Sequence, residues 1–95
     1  MTDEGPGTLI ATGTVRTALR AFILGNFLFT DDESALDDRA SFQEAHVIDS
    51  MGMLQLIAYV EREFGITVQD EDMVPENLDS IDRLVTFIAR RKGKV

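Results

Sequence analysis

The sequence contains no cysteine among its 95 residues, and its single histidine is His46. Without thiols the chain can form neither a disulfide nor a thiolate metal site, and one histidine is poor material for a zinc site. A serine nucleophile needs a base within hydrogen-bond reach. The only histidine available to Ser50 is His46, which we expect to be an exposed loop side chain. We therefore expect no metal site and no self-contained catalyst.

Long apolar runs are also missing. No stretch approaches the roughly 20 apolar residues that cross a bilayer, and the first ten residues lack the basic start and apolar middle of a secretory signal. A membrane span is therefore not expected, and cytoplasmic residence is the default. A chain of this length has room for one domain with a modest core.

Basic residues are scarce in the middle of the chain. Residues 31–82 hold 15 acidic side chains against Arg39 and Arg62, a balance of −13, whereas the whole chain carries −8. Such a surface repels phosphate backbones, which argues against nucleic acid as a partner, and it attracts basic patches on other proteins. An acidic surface that only keeps a small protein soluble explains the same composition.

Apolar periodicity predicts an all-α fold. We expect a small bundle of three main helices plus one short helix, with a long loop between the first and second helices. Residues 1–13, with three glycines and one proline, should be disordered. The helical domain is predicted over residues 14–91, and residues 92–95 form a basic tail. The first helix carries Arg16 and Arg20 on its solvent side. Its core positions are Val15, Ala18, Leu19, Phe22 and Ile23.

The loop over residues 31–47 is acidic and should contain one short helical turn, with Leu36 and Phe42 attaching it to the core. Gly65 should end the second helix, because glycine readily adopts a left-handed backbone. Asp79 and Ser80 are good cap residues for the last helix. The predicted core positions of these two helices are Met53, Leu56, Ile57, Val60 and Phe64, then Ile81, Leu84, Val85 and Ile88.

The helix after Ser50 carries a second apolar face, formed by Met51, Leu54 and Ala58 and followed by Glu61 at the same spacing. A short soluble helix needs only one apolar face for its core. The second face therefore indicates a docking surface beside Ser50, unless Met51 and Leu54 are partly buried under the preceding loop.

Two interpretations of Ser50 remain open on the residues alone. Asp49 and Ser50 can simply cap the helix, which stabilises it by about 1 kcal/mol. Alternatively, the hydroxyl is exposed at the helix start and carries a phosphodiester, since free N–H groups and the helix dipole favour negative charge there.

Three segments occur in order at fixed separations: Asp49-Ser50, Glu63-Phe64-Gly65-Ile66 and the acidic segment around Pro75-Glu76-Asn77. Together they resemble acyl carrier proteins over residues 42–90. The resemblance implies that Ser50, after Asp49, receives 4′-phosphopantetheine from coenzyme A through a phosphopantetheinyl transferase. It implies a non-catalytic, monomeric carrier that holds acyl groups as thioesters on this arm.

The resemblance also implies a surface that meets partner enzymes: a loading ligase and the synthases or transferases of a biosynthetic pathway. Apolar side chains would make shallow contacts, and acidic ones would pair with partner Arg and Lys. The expected partner-binding residues are Met51, Leu54, Gln55, Ala58, Glu61, Asp70 and Asp72.

Several positions depart from fatty-acid-type members of the family. Gly52 and Gln55 stand where an acidic residue is usual, and Arg62 interrupts an acidic run. The Ile-Asp-Ser-Met-Gly start is similar to specialised carriers, including D-alanyl carrier proteins. We therefore expect a carrier for a dedicated pathway. The alternatives are an aminoacyl or peptidyl carrier loaded by an adenylating ligase, and an unmodified helical adaptor that binds one protein partner.

Overall fold

The computed structural model describes residues 12–92, and every regular element within that range is helical. The all-α prediction is therefore confirmed. The expectation of disorder over residues 1–13 was wrong at Thr12 and Gly13, which begin α1, and its other residues lie outside the described range, as does most of the basic tail. The helices are α1 (Thr12–Ile23), α2 (Ser50–Phe64), the single-turn α3 (Pro75–Leu78) and α4 (Ile81–Lys92).

Helix α1 is extended by a widened π-helical segment, Leu24–Leu28. Phe29 ends this segment with a left-handed backbone (φ 54°), and its N–H donates to the carbonyl of Leu24. The Phe29 side chain is 81% exposed. The helix thus continues for one further turn through Phe27 and Leu28, in a form wider than an α-helix.

The core follows the apolar periodicity of the sequence. Along α2 every expected position is buried except Met53, which is half-buried; along α1, Ala18 and Phe22 are half-buried. The ring of Tyr59 on α2 stacks on Phe22 of α1, with centroids 4.0 Å apart. The fully buried side chains from the long helices include Val15, Leu19, Ile23, Leu56, Val60, Ile81, Leu84 and Ile88.

Arg16 and Arg20 do not simply face solvent, and that expectation was wrong. Arg20 donates to the carbonyl of Leu36 at 2.8 Å and to Asp38, and its side chain is only 16% exposed. Arg16 pairs with Asp38 at 2.9 Å and with Asp82 at the start of α4. The hydrogen bond that Arg16 donates to the Asp82 carboxylate raises the pKa of Arg16 above its ordinary value. The two arginines fasten the loop and α4 to α1.

The loop over residues 31–47 contains the expected short turn, a 3₁₀ helix at Glu33–Ala35. Asp32 caps it by accepting from the Ser34 N–H at 3.0 Å, and the Ser34 hydroxyl, which also donates to Asp32, lowers the pKa of that carboxyl. Leu36 and Phe42 are buried, as predicted. The loop is therefore attached to the bundle at Leu36 and Phe42.

The segment after α2 also matches the prediction. Gly65 adopts a left-handed backbone (φ 68°) and its N–H donates to the Glu61 carbonyl at 3.0 Å. A 3₁₀ turn forms at Asp70–Asp72, and Pro75 occupies the first position of α3. Ser80 caps α4 by accepting from the Arg83 N–H at 3.1 Å. No helix in the described range is long and apolar enough to cross a membrane.

Candidate functional site

Ser50 is the first residue of α2, and its side chain is exposed. The residue that caps the helix is Asp49. Its carboxylate accepts from the Gly52 N–H at 2.7 Å, and its carbonyl accepts from the Met53 N–H at 2.8 Å. Among the described residues the Ser50 hydroxyl has no hydrogen-bond partner. Capping therefore requires Asp49 and leaves the Ser50 oxygen available to another molecule.

The first turn of α2 presents two further donors beside this hydroxyl. The backbone N–H groups of Ser50 and Met51 find no acceptor within residues 12–92. Free N–H groups and the positive end of the helix dipole favour an attached phosphate. The negative charge of Asp49 opposes this, although its hydrogen bond from Gly52 directs one carboxylate oxygen into the helix. These groups fit the phosphodiester of a phosphopantetheine arm.

An open depression of about 550 Å³ adjoins Ser50. We call it the Ser50 depression. One side of it comes from the loop and the other from the start of α2, and it combines polar and apolar groups. Its lining residues are Gln43, His46, Ile48, Asp49, Ser50 and Met53.

A buried carboxylate holds the loop side of this depression in place. Asp79, which is only 7% exposed, accepts from the Ser41 hydroxyl and from the Gln43 N–H at 3.2 Å. Its carbonyl accepts from the Phe42 N–H at 2.9 Å. Asp79 was expected to cap the last helix. In the structure its carboxylate and carbonyl instead attach the loop to the junction before α4.

His46 is exposed, as expected, and has a left-handed backbone with φ 58°. It lines the same depression as Ser50. Within the described part of the chain, however, it makes no hydrogen bond to the serine hydroxyl. The structure therefore shows no serine–histidine pair of the kind that nucleophilic catalysis requires.

The apolar strip expected on α2 is open to solvent. Met51 is 71% exposed and Leu54 is 61% exposed, so the alternative of burial under the preceding loop was wrong. Ala58 and Gln55 are also exposed on this helix. Four of the expected partner-binding residues are therefore exposed on the helix that begins at Ser50.

Of the other three, Glu61 lies near the far end of the same helix, and Asp70 and Asp72 lie in the turn after it. Glu61 is half-buried and accepts from the Val68 N–H at 2.9 Å, about 16 Å along the helix axis from Ser50. Asp72 pairs with Arg91 and accepts from the Gln69 N–H. Asp70 is exposed in the turn after α2. The structure thus brings neither Glu61 nor Asp72 into the patch beside Ser50, and both carboxylates have intramolecular partners.

An apolar pocket of about 150 Å³ lies on the other side of Met53 and was not foreseen from the sequence. It opens between α2 and the segment leading into α3, and it shares Gln43 and Met53 with the Ser50 depression. Met73 and Val74 at its edge are partly exposed, at 42% and 38%. Its remaining lining residues are Leu54, Ile57, Pro75, Leu78 and Asp79.

Gly52 has a structural role. The only sign of it in the sequence is that a glycine lies inside an amphipathic helix. A Cβ atom at this position would lie 2.8 Å from Cε1 of Phe27 and 3.1 Å from Cγ2 of Ile48. The ring of Phe27 therefore packs directly on the backbone of α2. This contact fixes the end of the α1 segment against the turn that carries Ser50.

Comparisons with known proteins agree with this geometry. The family model described as "Phosphopantetheine attachment site" matches residues 24–88. The chain is also similar to an acyl carrier protein of Solidesulfovibrio magneticus. The two are 29% identical over 63 residues, which cover 66% of this chain and 78% of that protein. Since the family model spans well over half of the sequence, the chain belongs to the acyl carrier protein family, whose members bear a phosphopantetheine prosthetic group.

Proposed function

We propose that this chain carries acyl intermediates of a dedicated biosynthetic pathway on 4′-phosphopantetheine attached to Ser50. The observation that carries the proposal is the exposed Ser50 hydroxyl at the start of α2, where Asp49 alone performs the capping. When bound, the group supplies a thiol on which cargo is held as a thioester. The chain itself supplies the attachment point and the surface that partner enzymes recognise.

Attachment needs a second protein, because no side chain among the described residues accepts a hydrogen bond from the Ser50 hydroxyl as a general base would. A phosphopantetheinyl transferase would accept the hydroxyl proton while the serine oxygen forms a bond to the pantetheine-bearing phosphorus of coenzyme A. The phosphoanhydride bond breaks, and adenosine 3′,5′-bisphosphate leaves. The free N–H groups of Ser50 and Met51 favour the phosphodiester that results.

Partner enzymes would dock on the exposed strip of Met51, Leu54 and Ala58. Apolar side chains this exposed are available for contact without any rearrangement of the bundle. The net charge of −8 on the whole chain favours encounter with basic patches. The apolar pocket beside Leu54 offers a short apolar cargo a place out of water.

Two features of the sequence, the Ser-Met-Gly start and Gln55, slightly favour the aminoacyl-carrier alternative, and packing accounts for the first of them. Gly52 allows Phe27 to approach α2, so packing explains the Ser-Met-Gly start without reference to cargo. Exposed Gln55 remains as the other indication. A loading assay with acyl and aminoacyl ligases, which reads the acid that becomes thioester-linked, separates these cargo classes.

The test of carrier function is intact mass spectrometry after incubation with coenzyme A and a broad-specificity transferase. We expect the mass to increase by one phosphopantetheinyl group in the natural chain and not in Ser50→Ala. An unmodified helical adaptor would show no gain in either, while its partner binding would survive Ser50→Ala.

A further inference from the structure

Two loop side chains form the polar wall of the Ser50 depression. Gln43 and His46 come from the loop, and the apolar Ile48 and Met53 line the same depression. Both polar side chains are exposed, so their hydrogen-bonding groups are available. Gln43 and His46 belong neither to the core nor to the exposed strip on α2, so neither of those features explains their side chains.

This wall is held in a fixed position. The N–H of Gln43 is bound by the Asp79 carboxylate at 3.2 Å, and the N–H of His46 donates to the Gln43 carbonyl at 3.2 Å. The N–H of Val47 closes the turn on the Phe42 carbonyl at 2.9 Å. His46 keeps a left-handed backbone, which non-glycine residues rarely adopt. The loop backbone that carries Gln43 and His46 is thus held beside Ser50 by hydrogen bonds.

The chemistry of the depression matches the part of a phosphopantetheine arm nearest its attachment. That part has a phosphodiester, a geminal dimethyl group, a hydroxyl and an amide. An imidazole N–H and a carboxamide can bind the polar groups, while Ile48 and Met53 can contact the methyl groups. A cleft of about 550 Å³ falls within the size range of small-molecule sites.

We propose that Gln43 and His46 are positioning residues that hold the proximal part of the arm in the Ser50 depression. This inference rests on attachment of the arm at Ser50. Seating the arm on the loop side leaves the Met51 and Leu54 strip free for a partner. It also directs the arm past Met53, the residue that the depression shares with the apolar pocket.

The experiment compares the unmodified and the phosphopantetheinylated full chain by NMR, with loading verified by intact mass. On loading, we expect amide shifts to change at Gln43 and His46 as well as at Ser50. We expect nuclear Overhauser effects between the geminal methyl groups of the arm and the methyl groups of Ile48 or Met53. Shift changes confined to residues 50–53 would overturn the proposal.

Substitutions at position 46 separate positioning from stability. His46→Gly suits a left-handed backbone and removes the side chain, so we expect it to lose the arm contacts without lowering the urea midpoint. His46→Asn tolerates the same backbone and retains a hydrogen-bonding group, so the contacts should persist. Glu44→Ala, on the same loop but outside the depression, should leave them unchanged. Contacts that survive in His46→Gly contradict the assignment.

Gln43→Ala tests the second residue in the same way, with loss of the arm contacts as the expected result. If the natural chain gains no mass, both the carrier function and this inference fail. If it gains mass but the arm makes no contact with the loop, only this inference fails.

Discussion

At the residue scale, the contact between Phe27 and Gly52 leads to a prediction about stability. Alanine is favoured over glycine in a helix by about 1 kcal/mol. At position 52, however, the added Cβ would lie 2.8 Å from the Phe27 ring, and overpacking of this kind costs about 1–3 kcal/mol. We therefore expect Gly52→Ala to lower the free energy of unfolding by about 1 kcal/mol, measured by urea denaturation.

Gly25 offers the matched control, because a Cβ there meets no atom within 4 Å. Gly25→Ala should leave stability unchanged or slightly higher. Trimming Phe27 to Leu in the Gly52→Ala background should recover part of the loss. Equal effects of alanine at both glycines would show that the Phe27 contact is unimportant.

Asp49 caps α2 and Ser50 does not, and this difference leads to a second prediction. Asp49→Ala removes the carboxylate that accepts from Gly52 and should cost about 1 kcal/mol. Ser50→Ala removes an exposed hydroxyl with no partner among the described residues and should change stability by less than about 0.5 kcal/mol. Thermal or urea unfolding of the two variants measures the difference. Comparable losses would mean that Ser50 also contributes to capping.

The sequence was informative about single residues wherever local spacing determines the environment. The exposure of Met51 and the left-handed end of α2 at Gly65 are examples. Phe27 approaches Gly52 across a separation of 25 positions in the sequence, and Asp79 binds Gln43 across a separation of 36 positions. Helical periodicity describes one segment at a time, so it contains no information about such pairings.

At the element scale, the loop over residues 31–47 depends on Arg20. This guanidinium binds the Glu33 carboxylate, the Leu36 carbonyl and Asp38 simultaneously. Lysine keeps the charge but lacks the planar set of five donors. We expect Arg20→Lys to lower the free energy of unfolding by about 1–2 kcal/mol, because charged hydrogen bonds in a half-buried site are lost.

Hydrogen exchange provides a local readout for the same variant. The amides that close the loop, such as Phe42 and Val47, should exchange faster in Arg20→Lys, while those in the middle of α2 change only with global stability. Arg62→Lys, at an exposed position on α2, is the control. If the loop amides keep their protection, Arg20 does not fasten the loop.

The helices themselves were predictable, because each buries one apolar stripe at the 3.6-residue period. The course of the loop was only partly predictable. Leu36 and Phe42 were expected to anchor it, and they do. Its polar attachments to Arg20 and Asp79 were not foreseen, since arginine on a helix and aspartate before a helix are ordinary surface residues in sequence.

At the scale of the whole molecule, charge is distributed unevenly along the chain. Two arginines near its basic end make intramolecular contacts. Arg90 donates to Asn77 at 3.1 Å, and Arg91 donates to the Thr67 carbonyl at 2.9 Å and pairs with Asp72. These contacts tie the end of α4 to the segment between α2 and α4. Among the described residues neither arginine pairs with Asp49, the exposed carboxylate beside Ser50, so its charge remains available to a basic partner.

Tyr59 is partly buried where α2 packs against α1. We therefore expect the free energy of unfolding to change with pH in the alkaline range. Burial, with a further contribution from Glu63, raises the pKa of Tyr59 above its ordinary value of 10.0. The folded chain therefore keeps this proton at a pH where the unfolded chain has lost it. The stabilisation is complete below pH 10 and is lost as pH rises through the folded-state pKa, with a slope of at most about 1.4 kcal/mol per pH unit.

Tyr59→Phe isolates this effect from general repulsion among the acidic residues, which both proteins share. Phenylalanine keeps the stacking on Phe22 and removes the ionisable hydroxyl, whose hydrogen bond to the Ala18 carbonyl is long at 3.3 Å. Urea midpoints measured between pH 8 and pH 11 should decline more steeply above pH 10 in the natural chain than in the variant. Parallel curves would mean that the tyrosine hydroxyl titrates alike in the folded and unfolded chain, and that the α1–α2 contact leaves it in water.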